Sequence, residues 1–140
     1  MSAPSPADAI GAHRDFLRAV DLHASGRTAE AIPLLERIVQ DNPRNALAWG
    51  QLSTCYVKSN RFEDTLAAAQ RALALGEDWY GPHENLGVAY DNLGRLEDAV
   101  REYALVLEQK PGHQQVRDRL VLLLRRLGRG AEADGYARGG

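Results

Sequence analysis

The stretch "LGVAYDNLGRLEDA" (residues 86–99) sets two glycines and a tyrosine inside otherwise helix-forming sequence. Glycines so placed belong either to a loop that cradles a phosphate or to a joint between packed helices. A phosphate loop calls for a preceding strand and a closing Gly-Lys-Ser/Thr, and neither is present. Shifting the sequence by 34 residues decides for the joint. Gly26, Asn60, Gly94 and Gly128 share one register, followed at once by Arg27, Arg61, Arg95 and Arg129. After two intervening residues come Glu30-Ala31, Asp64-Thr65, Asp98-Ala99 and Glu132-Ala133, again 34 apart and without a gap. Pro43 and Pro111 stand two periods apart, with Glu77 midway.

Each unit reads as two helices. Leu86, Gly87, Tyr90 and Leu93 fall on one face of a 3.6-residue helix, and Gly94 supplies the left-handed residue that ends it. Asn60 tolerates that conformation at modest cost. Leu96, Ala99, Val100, Tyr103, Val106 and Leu107 form the buried face of the second helix. Gly87 is mid-helix, where glycine costs about 0.5–1 kcal/mol relative to alanine. Its equivalents Ala19 and Ser53 are also small, as a closely passing partner helix requires. Ser5, Pro6 and Asp8 start the first helix, which runs to about Ser25. Further helices are expected near 29–41, 45–59, 62–75, 82–93, 96–109 and 114–127. A weak last helix near 131–138 is crowded by Gly130, Gly135, Gly139 and Gly140. Pro33 should bend the start of its helix.

With 140 residues, 44% hydrophobic and 26% charged, the chain has the composition of one soluble domain or a short array. A net charge of −2 gives no reason to expect nucleic acid as a partner. The charge is uneven: residues 1–112 carry 11 Lys+Arg against 16 Asp+Glu, and residues 113–140 carry 6 against 3. The amino terminus lacks an apolar signal core, and the apolar run from Leu120 to Leu124 is far short of the roughly 20 residues that span a bilayer. The reading is therefore a cytoplasmic protein. Lone Cys55 has no internal disulfide partner and suits a small core residue.

The pattern resembles the tetratricopeptide repeat, whose signature is W-x2-L-G-x2-Y, A-x3-F and P over 34 residues. "WGQLSTCY" (49–56) supplies its Trp, Leu, small residue and Tyr, and "HENLGVAY" (83–90) puts His83 in the Trp place, followed by Ala99, Tyr103 and Pro111. The first unit departs most, with Asp15, Arg18 and Leu22 at the Trp, Leu and Tyr places, while Ala31, Leu35 and Pro43 keep to the pattern. The resemblance covers about residues 12–134. It implies an all-α fold, a right-handed superhelical array of antiparallel helix pairs. Residues 1–11 extend the first helix, 12–45, 46–79 and 80–113 are repeats, and 114–140 is a partial fourth repeat or cap.

The resemblance also implies a protein–protein interaction adaptor or scaffold, whose concave groove, lined by the first helix of each pair, takes a peptide or helix of a partner. Family positions facing the groove fall on His13, Phe16, Val20, His23 and Ala24; on Leu47, Gly50, Thr54, Val57 and Lys58; on Gly81, Glu84, Val88, Asp91 and Asn92; and on Gln115, Asp118, Leu122, Arg125 and Arg126. The charged members suit a plain solvated face. Phe16, Val20, Val57, Val88 and Leu122 instead form the kind of apolar stripe that monomers seldom expose. A family subtype that grips a carboxylate with Lys, Asn and Arg finds only Asn85 and Arg119 in place, with its first lysine missing. A mixed-charge or largely apolar ligand is expected instead.

A second surface is the C-terminal edge, "RDRLVLLLRRLGR" (117–129). Leu123, Arg126 and Tyr136 could dock a partner or a second copy, making the chain a self-assembling structural module. The plainer alternative is that a last helix folds over Leu123, and a membrane surface is the weaker choice for this basic helix. No cofactor, metal or catalytic group is expected. His13, His23, His83 and His113 lack metal-ligand spacing, and no base accompanies Cys55.

Overall fold

At each turn of the 34-residue register a helix is stopped by one residue in the left-handed region: Gly26 at φ 80°, Asn60 at 59°, Gly94 at 79° and Gly128 at 74°. The structure, a computed structural model, describes residues 5–139, and these residues form eight helices. They are α1 (Pro6–Ala24), α2 (Thr28–Asp41), α3 (Ala46–Lys58), α4 (Phe62–Ala74), α5 (Tyr80–Asn92), α6 (Leu96–Gln109), α7 (Gln114–Arg126) and α8 (Gly130–Ala137). They divide into two compact units, one ending at Asp78 and the other beginning at Trp79.

Each stop is a paired-bond helix ending. The stop residue donates to the carbonyl three residues back, and the arginine after it donates to the carbonyl five residues back, two bonds that close orphan helix carbonyls. The arginine bonds run from Arg27 N to Leu22 O at 2.7 Å, Arg61 N to Tyr56 O at 2.9 Å, Arg95 N to Tyr90 O at 2.8 Å and Arg129 N to Leu124 O at 2.8 Å. The same arginines pair with the acid three residues on, Glu30, Asp64, Asp98 and Glu132. Arg61 and Arg95 also lie over the rings of Tyr56 and Tyr90, at 4.5 and 4.7 Å. These ion pairs lie at the surface, where solvent screening leaves them little net stabilisation. Each joins the N-cap arginine to the first turn of the following helix, while the arginine's backbone amide ties it to the end of the one before.

Between pairs the chain turns differently. After α2 and α6 it passes through Asn42-Pro43 and Lys110-Pro111. After α4, where Glu77 replaces the proline, Gly76 takes φ 103° and Glu77 N donates to Ala72 O at 3.0 Å, so a second glycine stop substitutes. Ser5 caps α1 through its Oγ, which accepts from Asp8 N at 3.2 Å, and Asn45 caps α3 through a 3.1 Å bond from Ala48 N.

The core of the first unit gathers Ile32, Leu35 and Ile38 of α2 with Leu52, Cys55 and Tyr56 of α3, and Trp49 packs against it. In the second unit Leu86, Ala89 and Tyr90 of α5, Tyr103 and Val106 of α6, and Leu120, Leu123 and Leu124 of α7 are buried. Burial pushes the Cys55 thiol up to about 11, as suits a core residue and not a nucleophile. Gly87 lies against Tyr103, so closely that a Cβ there would stand 2.6 Å from the ring Cε1.

Two details depart from expectation. Helix α5 begins at Tyr80, two residues before Pro82, because a proline in the first turn sacrifices only an amide that has no intrahelical acceptor. Gly81 leaves room for the Trp79 ring, which a Cβ would meet at 2.3 Å. Helix α8 forms despite its glycines, with Ala133 fully buried. Buried Arg117 braces it, donating from Nη1 to Tyr136 O at 3.1 Å and from Nη2 to Pro111 O.

Two glycine substitutions separate the roles. Gly87→Ala is expected to lower stability by about 1 kcal/mol, overpacking against Tyr103 outweighing the helix-propensity gain. Gly94→Ala should cost about 1–2 kcal/mol through its positive φ alone. Urea unfolding followed by circular dichroism measures both, and a more stable Gly87→Ala protein would contradict the packing assignment.

Candidate functional site

In the first unit, α1 and α3 carry the positions marked out for ligand contact. Phe16 is half-buried, packed against the core, and Val20, Thr54 and Val57 are half-buried too. Lys58 is exposed. His23 Nδ1 shares a 3.0 Å hydrogen bond with Thr28 Oγ1, joining the end of α1 to the start of α2. Thr54 Oγ1 donates to Gly50 O at 3.3 Å, within its own helix.

Beside Phe16 lies an open cleft of about 890 Å3. Its walls are the N-terminal half of α1, the last turn of α2 and the first turn of α3. Ala12, Phe16, Ile38 and Leu47 provide apolar surface, and Leu47 is 57% exposed. Asp8, His13, Asp15, Arg37 and Asp41 bring the charge-bearing groups. Of the residues lining this cleft, expectation had singled out His13 and Phe16 of α1 and Leu47 of α3 for ligand contact, but none from α2. A signal for them was present: Asp41 sits in the last turn of α2, where no basic residue offsets the negative helix end.

In the second unit the polar residues expected to face a ligand are largely engaged with other groups of the same unit. Arg119 Nε and Nη2 bind both carboxylate oxygens of Asp91, the Nη2 bond at 2.7 Å, and the Tyr103 hydroxyl donates to the same carboxylate at 3.4 Å. The Asp91 side chain is 7% exposed and that of Arg119 40%. The hydrogen bonds Arg119 donates to Asp91, and the Asp91 charge, raise the Arg119 pKa, while burial followed by the Asp91 charge raises that of Tyr103. His113 Nε2–H donates to Glu84 Oε1 at 2.8 Å, and Gln114 Nε2 donates to Asp118 Oδ1 at 2.7 Å. Arg125 meets Asp134 at 3.0 Å and Asn92 Nδ2 bonds Val88 O at 2.8 Å. Asn85 and Val88 are half-buried, whereas Leu122 is exposed. The guanidinium that matched a carboxylate grip is therefore held by a carboxylate of its own chain.

The C-terminal edge differs from one expectation. Leu123 is fully buried, so it offers no surface for docking; Arg126 is exposed and Tyr136 half-buried. Hydrophobic residues on α7 attract α8 because leaving them in water costs about 25 cal/mol per Å2. Among the described residues no cluster of three or more His, Cys, Asp or Glu could hold a metal ion, and no helix is long and apolar enough to cross a membrane.

Replacing Arg119 with alanine leaves a nearly buried carboxylate with one weak hydroxyl partner. It is expected to lower stability by about 1–2 kcal/mol, discounted for the exposure of Arg119. A thermal melt checks this: an unchanged melting temperature would mark Arg119 as a free surface group.

Comparison with known proteins sets these units in context. Sequence profiles of the tetratricopeptide repeat match residues 22–79 and 82–113, together more than half of the chain. The peroxisomal targeting signal receptor of Yarrowia lipolytica is 32% identical over 73 residues, a match covering 52% of this chain and 12% of the receptor. The chain thus corresponds to a small part of that relative. The crystal structure of MamA protein superposes with a TM-score of 0.84 at 23% identity, covering 95% of this chain and 73% of that one. The first such domain of Spaghetti (RPAP3), bound to the HSP90 peptide SRMEEVD, gives a TM-score of 0.74 at 21% identity over 84% of this chain and 95% of its own. These likenesses agree with an all-α solenoid fold built of helix pairs. The chain belongs to the tetratricopeptide repeat family.

Proposed function

We propose that the chain is a protein–protein interaction adaptor that binds a short polypeptide segment of its partner. The observation that carries this is the open cleft between α1, α2 and α3, where Leu47 is exposed beside Phe16 at positions the family uses for ligands. Apolar side chains that a folded unit leaves in water are available to anchor a partner's side chain. The RPAP3 domain bound to an HSP90 peptide is a precedent for peptide binding on this fold. That acidic peptide is not the expected ligand here, since the first lysine of a carboxylate grip is absent and Arg119 is engaged by Asp91. In the second unit Val88 and Leu122 offer further apolar contact, with Asp118 as a charged group that selects register, a part that Lys58 plays in the first unit. A short segment held this way binds with a Kd of about 1 μM, roughly −8 kcal/mol.

Paired baits test the reading. Wild-type protein, Leu47→Asp and Val88→Asp are each used for capture from host lysate, with thermal melts confirming that the variants fold. A partner retained by the wild type and reduced at least about tenfold by either variant, some 1.4 kcal/mol, is the expected result. Equal recovery of every protein by all three baits would contradict it.

A further inference from the structure

We infer that the cleft of the first unit selects a basic segment, one in which lysines or arginines flank a single apolar side chain. This rests on the adaptor reading and adds to it the chemistry of the ligand. The cleft is lined by three aspartates, Asp8, Asp15 and Asp41, against one arginine, Arg37, and one histidine, His13. Asp8 is spent in part on the helix start, where it accepts from Ser5 Oγ at 2.7 Å. Asp15 and Asp41 form no ion pair or side-chain hydrogen bond within the described residues.

Asp41 is the more telling of the two. It lies in the last turn of α2, among carbonyls that make that helix end negative, and no lysine, arginine or histidine accompanies it there. An acid at that place works against the helix that carries it. Across the cleft the first turn of α3 contributes Leu47, and Asn45 takes the Ala48 amide there. An incoming ammonium or guanidinium meets a carboxylate and a helix C-terminus together, a pairing that favours cations. Between the acids, Phe16, Ile38 and Leu47 offer the apolar contact for the side chain between the basic ones.

The test selects a phage-displayed random peptide library on the immobilised full chain, in low salt. The selected peptides are then measured against wild type, Asp15→Asn/Asp41→Asn and Leu47→Asp by fluorescence anisotropy. Both asparagine changes keep side-chain shape, and circular dichroism melts report folding. Selected peptides are expected to be rich in lysine and arginine around one apolar residue. They should bind the double variant roughly fivefold or more weakly, weaken as salt screens the charges, and be lost on Leu47→Asp. Acidic or uncharged peptides, or basic ones indifferent to both aspartates, overturn the inference. If such peptides are lost on Val88→Asp instead, the adaptor reading stands while the basic-segment inference falls. If no peptide is selected at all, both fall.

Discussion

One backbone geometry, a residue at positive φ every 34 positions, underlies the rest of the fold. It closes the helix before it through two backbone bonds and reverses the chain so that the next helix packs back on the first. A side chain with a Cβ branch cannot adopt that geometry without strain, so the register holds three glycines and one asparagine. The arginine that follows lends its amide to the stop and its guanidinium to the next helix. Backbone geometry, local ion pair and helix-pair packing thus share a few consecutive residues.

Packing across each pair is then a matter of matched size. The register positions Ala19 and Leu35, Ser53 and Ala69, Gly87 and Tyr103, and Val121 and Ala137 are each 16 apart. Gly87 against Tyr103 is the extreme case, a glycine retained mid-helix at a cost in propensity because a ring occupies the space of its side chain. Interiors packed to crystal-like density require such reciprocity between neighbours.

Much of the fold was legible because its signals are local: a stop residue, a cap and the 3.6-residue spacing of apolar side chains. Helix α8 was less so, since its glycines argue against a helix and its support comes from elsewhere. Arg117, on the preceding helix, reaches Tyr136 O, and Leu123 and Leu124 supply the surface it covers. Asp91 and Arg119 lie 28 residues apart, and nothing in either's neighbourhood announces that they bind each other. The α2 wall of the cleft escaped notice for a related reason. Its residues belong to the second helix of a pair, outside the positions by which the family is usually read, although uncompensated Asp41 could have drawn attention to it.

The candidate site joins features that stability alone does not explain: exposed Leu47, Asp15 with no ion pair among the described residues, and an acid at a helix end that disfavours it. By contrast, the paired Asp91 and Arg119 are accounted for by packing. The measurement that tests this most directly is a 1H–15N chemical-shift map of the full chain titrated with a peptide selected on it. The account predicts the largest shifts at the amides of Phe16, Ile38, Asp41 and Leu47, residues of three helices that all line the cleft. Unmoved amides at those four residues, with shifts gathered instead on α8, would contradict it.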